Sequence, residues 1–223
     1  MRQINSEPSI GDRQHYLSGI GKLLQTDYPG NEIVQIVCHG HSVPAGYFKT
    51  PEVRSLDSYP HLLRAGLAER YPHAVINVIV TGIGGEESSQ GAKRFERDVL
   101  SLRPHLVTID FGLGDRSIGL ERSRAAWSAM IKAALAAHAK VLLLTPTADL
   151  GANLDDPKDP LNQHAEQIRE LAREYHAGLV DSLAAFKQFG QSGGHIPSLM
   201  SQDNHPNRQG HELVARELLA WFP

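Results

Sequence analysis

Apolar residues along this chain fall into two alternating patterns. Five short runs are almost continuously hydrophobic and rich in β-branched residues: 33–37, 75–80, 106–110, 141–144 and 178–180. Runs of this kind predict strands buried on both faces. Between them, apolar residues recur at helical spacing from about Tyr59 to Arg70, Gln90 to Leu102, Leu120 to His138 and Pro160 to Tyr175. A last helix is expected to begin near Asn207, with Leu213, Val214, Leu218 and Leu219 on one face. Strand–helix alternation on this scale predicts βαβ units, hence a parallel sheet covered by helices on both sides. The expectation is an α/β protein: one three-layer α/β/α domain over residues 1–223, with 1–30 as an N-terminal helical extension.

In such sheets ligands bind at the carboxyl ends of the strands. Four segments fall at those ends or beside the last helix. They are His39-Gly40-His41-Ser42 after the first strand, Gly82-Ile83-Gly84-Gly85 after the second, Gly112-Leu113-Gly114-Asp115 after the third, and Asp203-Asn204-His205-Pro206-Asn207 before the final helix. The polar stretch Ala148 to Asp159 is either part of a substrate rim or a plain connection.

Composition narrows the classes without choosing among them. At 223 residues the chain suits one well-buried core, and its formal charge of −3 leaves no basic footprint for nucleic acid. No apolar run approaches bilayer length, so no membrane partner is expected. The single cysteine, Cys38, cannot form an internal disulfide and suits a reducing compartment. The opening MRQINSEPSIGDRQ has no apolar core of a signal peptide, and a cytoplasmic location is the expectation.

Acyl transfer requires a nucleophilic hydroxyl, a base in hydrogen-bond reach, a group that orients the base, and donors for the oxyanion. Ser42 offers the hydroxyl at a strand-to-helix turn. His205 offers the base, on a segment stiffened by Pro206 and capped by Asn207. Asp203 is the candidate to hold the imidazole, and the Gly84-Gly85 backbone can approach an oxyanion without side-chain obstruction.

Taken in this order, the four segments resemble the SGNH/GDSL hydrolase superfamily, from about Ile33 to Phe222. That resemblance implies a flavodoxin-like parallel sheet and a serine-dependent carboxylic ester hydrolase that needs no cofactor. It places the nucleophile at Ser42, the base at His205, the second-block glycine at Gly85 within Gly85-Glu86-Glu87-Ser88-Ser89-Gln90-Gly91, and the remaining oxyanion position at Gly114. Three positions depart from the family pattern. His41 stands where the family has Asp, and Gly114 where it has the oxyanion Asn, with Arg116 or His41 as possible substitutes. Gln202 stands three residues before His205 where the family has Asp, so either Asp203 or a backbone carbonyl orients the imidazole.

The expected substrate is a small-molecule ester, with a small acyl group such as acetyl on a carbohydrate or similar alcohol preferred. The alternative is an SGNH-fold protein, weakly active or inactive, that binds a carbohydrate or acyl ligand. Metal-assisted hydrolysis through His39 and His41, completed by His205, His195 or His211, is a third reading, but no spacing matches a familiar zinc motif. The glycines at 82, 84 and 85 do not fill a dinucleotide fingerprint. Asp115 and Asp181 read as loop caps, and Cys38 as a small buried hydrophobe. Oligomeric state is not legible.

Overall fold

In a computed structural model, which describes residues 9–223, the five runs form one parallel sheet. Strands β1 (Ile33–Gly40), β2 (Val75–Val80), β3 (Leu106–Asp110), β4 (Lys140–Leu144) and β5 (Gly178–Val180) lie in the order β2-β1-β3-β4-β5. The first eight residues of the expected N-terminal extension lie outside the described part. Its remainder contains helix α1 (Ser18–Leu24).

Period-two alternation divides the sheet between two cores. Val34, Ile36 and Cys38 of β1 face one core, shared with α1, with α3 (Tyr59–Arg70) and with α8 (Arg208–Leu219). Val37, Val107, Ile109, Val141 and Leu143 face the other, built from α4 (Ser88–Asp98), α5 (Gly119–Ala136) and α6 (Pro160–Glu174). The result is the expected three-layer α/β/α arrangement. Four strands and five helices lie within a few residues of their sequence expectations, and β1 runs three residues further than its apolar run, through Cys38, His39 and Gly40.

Four elements go beyond the expectation. Helix α2 (Ser42–Ala45) is a single turn, α7 (Ser182–Gln191) follows β5 at once, and β6 (Met200–Gln202) pairs antiparallel with β7 (His205–Pro206). Asp181, expected to cap a loop, instead caps α7 by accepting the Ala184 N–H. Among the described residues no helix is long and apolar enough to cross a membrane.

Candidate active site

Ser42 opens α2 immediately after β1, and His205 opens β7 immediately before α8. Folding brings the two together across 163 positions of sequence, with His205 Nε2 2.8 Å from Ser42 Oγ. The hairpin that delivers His205 is pinned on several sides. Ser201 Oγ donates to the Phe48 carbonyl, the Thr50 N–H donates to Gln202 Oε1, and Asn207 caps α8 through the Gly210 N–H. The Asn207 cap is as the sequence leads one to expect.

The expected partner of the imidazole is not there. Gln202 pairs in register with His205, so Asp203 and Asn204 form the two-residue turn of the hairpin and project outward. Asp203 is exposed, and its carboxylate hydrogen-bonds to no group among the described residues. The expectation that Asp203 orients His205 is therefore corrected. Gln202, at the family's acid position, is spent on Thr50 and on Asn204, to whose Oδ1 its amide donates at 2.9 Å. His205 Nδ1 is buried without a well-formed hydrogen bond. Burial lowers the His205 pKa below the usual histidine value and positive charge on His41 would lower it further, while the Phe48 carbonyl pulls the other way.

A second imidazole near the same hydroxyl is that of His41, almost fully buried. Its Nδ1 lies 3.3 Å from Ser42 Oγ and accepts the Val43 N–H at 3.2 Å, which caps α2. That N–H leaves Nδ1 as an acceptor, so the proton of the neutral ring sits on Nε2. Nε2 faces Asp110 Oδ1 at 3.5 Å, and the same carboxylate accepts from the Tyr59 hydroxyl at 3.2 Å. Here an imidazole, at the position of the family's Asp, caps α2. The same geometry removes His41 as a substitute oxyanion donor, because its Nδ1 has no proton to give.

The glycines differ in why they are glycine. Gly85 has φ +79°, in the left-handed region, and an added Cβ there would meet nothing. At Gly114 a Cβ would stand 2.6 Å from the Glu86 carbonyl oxygen. The family's Asn side chain is absent because the turn after Gly85 occupies its place. The amides of Ser42, Gly85 and Gly114 donate to no acceptor among the described residues, which leaves three backbone donors for an oxyanion. Arg116 does not substitute either. Its guanidinium donates to Asp149 Oδ2 at 2.6 Å and to the Leu113 carbonyl at 3.1 Å.

The remaining histidines are occupied or remote. His39 lies between Phe95 and Phe111, its Nε2 on the Gly91 carbonyl and its Nδ1 on Thr81 Oγ1, and burial drives its pKa down to about 4. His211 is buried, takes the Tyr59 N–H at Nδ1, and is driven down to about 3, again by burial. His195 is exposed on the segment before β6. Among the described residues no three His, Cys, Asp or Glu side chains are grouped to hold a metal. Asp115 is fully buried and structural: it accepts from the Ser88 N–H, Ser123 Oγ and Trp127 Nε1, each at 2.7 Å. Cys38 packs in the core, and burial raises its thiol pKa to about 12.

On the hairpin that carries His205, a polar cleft of about 460 Å³ is lined by Gln202, Asp203 and Asn204, together with Asp149. The Ala148–Asp159 loop joins it where the Leu150 N–H donates to the Asp203 carbonyl. A larger apolar groove of about 580 Å³, lined by residues including Leu62, Phe189, Leu213 and Leu219, contains none of the site residues.

Sequence reasoning missed Asp110 and Tyr59. The signal was a carboxylate closing a strand that is otherwise apolar and buried.

The family described as GDSL-like lipase/acylhydrolase matches residues 38–213. An acetylxylan esterase of Geobacillus stearothermophilus is 25% identical over 162 residues, which cover 67% of this chain and 73% of that protein. A crystal structure of acetylxylan esterase from the same organism superposes with a TM-score of 0.73 at 22% identity, over 85% of this chain and 96% of that one. A two-domain esterase active on acetylated mannans gives a TM-score of 0.75 at 22% identity, over 98% of this chain and 56% of that chain.

Proposed function

The chain belongs to the GDSL-like lipase/acylhydrolase family, and from that premise we propose that it is a serine esterase removing acetyl groups from carbohydrate hydroxyls. The observation that carries the reading is the 2.8 Å contact between His205 Nε2 and Ser42 Oγ at the carboxyl edge of the sheet. Ser42 Oγ attacks the acyl carbonyl while its proton passes to His205 Nε2. The oxygen takes up the carbonyl electron pair, and the amides of Ser42, Gly85 and Gly114 are the donors available to it. Collapse of the intermediate expels the sugar alkoxide, which takes the proton from His205 and leaves acetyl-Ser42. Water, deprotonated by His205, then releases acetate and restores the hydroxyl.

His205 does this without a carboxylate on Nδ1. A depressed pKa keeps the ring neutral at neutral pH, ready to accept the serine proton. The polar cleft on the hairpin that carries His205 supports a hydroxyl-rich leaving group, since Asp149, Asp203 and Asn204 offer acceptors to sugar hydroxyls. The acetylxylan and acetylated-mannan esterases it resembles support acetyl as the acyl group.

The test is acetate release from acetylated xylo-oligosaccharides, with p-nitrophenyl acetate and octanoate alongside. The expected result is Ser42-dependent release and at least roughly a tenfold preference for acetate over octanoate. Folded protein that turns over none of these three substrates would overturn the reading in favour of a ligand-binding protein.

A further inference from the structure

We propose that Arg94 is a positioning residue of this reaction: it clamps the turn carrying Gly85 to the strand end carrying Ser42. The proposal rests on the ester-hydrolase reading above.

Arg94 lies on α4 with 8% of its surface exposed. Its Nε and Nη2 both donate to Glu86 Oε2, at 2.8 and 2.6 Å, and Nη1 donates to Asp98 Oδ2 at 3.2 Å. Nη2 also donates to the Gly40 carbonyl at 3.4 Å. Gly40 precedes the nucleophile by two positions, and Glu86 follows Gly85 directly. The guanidinium thus joins the two loops that supply the nucleophile and one oxyanion amide.

The Ile83–Glu86 turn is only weakly closed by its own backbone. Its own closing bond, Glu86 N–H to the Ile83 carbonyl, is a long 3.4 Å, and Gly85 is exposed with no neighbour where a side chain would be. One end is moored to Gly40 by the Ile83 N–H at 3.1 Å. The other end is moored to the same carbonyl only through Glu86 and Arg94. A fixed planar fork that stays charged is suited to hold both acceptors in one geometry. Two carboxylates, Glu86 and Asp98, offset the cost of burying that charge.

The clamp matters more in this chain than it would with an Asn at 114. With Gly114 in that place the oxyanion relies on backbone amides, whose positions are only as good as the turns that carry them. The same clamp seats the Glu86 carbonyl against Gly114. A displacement of about 1 Å at such a site costs on the order of a hundredfold in rate.

The variants are Arg94→Lys, which keeps the charge but cannot reach both acceptors in the same way, and Glu86→Gln, which keeps the shape and weakens the pair. In folded protein each is expected to lower kcat roughly 10- to 100-fold with KM within about threefold. Inhibition by phenylboronic acid, which forms a tetrahedral serine adduct, is expected to weaken by the same factor as kcat/KM. Amide exchange at Ile83 and Glu86 should quicken at least about tenfold, a readout that does not depend on turnover. Either variant keeping kcat within about twofold of wild type, or unchanged amide exchange, overturns the clamp. An inactive wild type would sink the hydrolase reading instead, and the exchange data would still decide the clamp.

Discussion

Two regions of this molecule bring an imidazole to the same serine hydroxyl, and they are furnished in opposite ways. The turn after β1 holds His41 by a capping N–H, faces its Nε2 with Asp110, and buries the whole assembly under Tyr59. The β6–β7 hairpin holds His205 by its backbone and leaves its Nδ1 without a carboxylate. The histidine faced by a carboxylate has its Nδ1 lone pair committed to the Val43 N–H; the one without a carboxylate lies with its Nε2 2.8 Å from the serine hydroxyl. The difference teaches that an Asp facing a His does not mark the base. Access and the direction of the lone pair do.

Substitutions at either histidine break the comparison with the largest expected effects. Ser42→Ala should lose at least about four decades of kcat, and His205→Ala about three to four, measured with an acetate ester at saturation. His41→Ala should cost roughly 10- to 100-fold in kcat and about 1–3 kcal/mol in urea unfolding, because it removes the α2 cap and the imidazole that faces the buried Asp110 carboxylate. His41→Asn keeps a capping acceptor and should recover part of that stability.

Milder measurements sharpen it. Because burial lowers the His205 pKa, the acid limb of kcat/KM should have its midpoint below the free-histidine value of about 6.5: the protonated, inactive ring is the form that burial disfavours. Stability follows the same sign through His39 and His211. Their folded pKa values, about 4 and about 3, lie below the unfolded value, so the unfolded chain binds more protons as pH falls. Unfolding free energy should therefore drop as pH goes from about 6.5 toward 4, checked by urea titration across that window. The smallest effect is expected at Asp203→Asn, where kcat should stay within about twofold. A loss of three decades there would mean that the carboxylate reaches His205 during turnover.

The sheet was readable because period-two and period-3.6 patterns register burial, as in Leu106–Asp110, which is buried throughout; Val75–Val80 forms its strand as expected but not the expected burial on both faces, because it lies at the sheet edge and exposes Val75 and Val80. Helix α7 was not: it is ten residues long, interrupted by Gly190, and begins one residue after β5. Ser42, Gly85 and His205 were legible because each sits at a strand or helix end in family order. Asp203 misled because register decides direction. One residue of difference from the family places it in a hairpin turn, and no linear spacing reveals which residues of a turn point outward. Gly114 appeared as a missing donor, whereas the structure makes it the space that the Glu86 carbonyl needs.

The central claim is that Ser42 is the nucleophile and His205, lacking a carboxylate partner, is its base. Intact-mass kinetics with a fluorophosphonate tests it most directly. The account predicts one adduct, mapped to Ser42, absent in Ser42→Ala, slowed at least about a hundredfold in His205→Ala and unchanged in Asp203→Asn. Labelling of Ser42 at the wild-type rate in His205→Ala, or an adduct elsewhere in the chain, would contradict it.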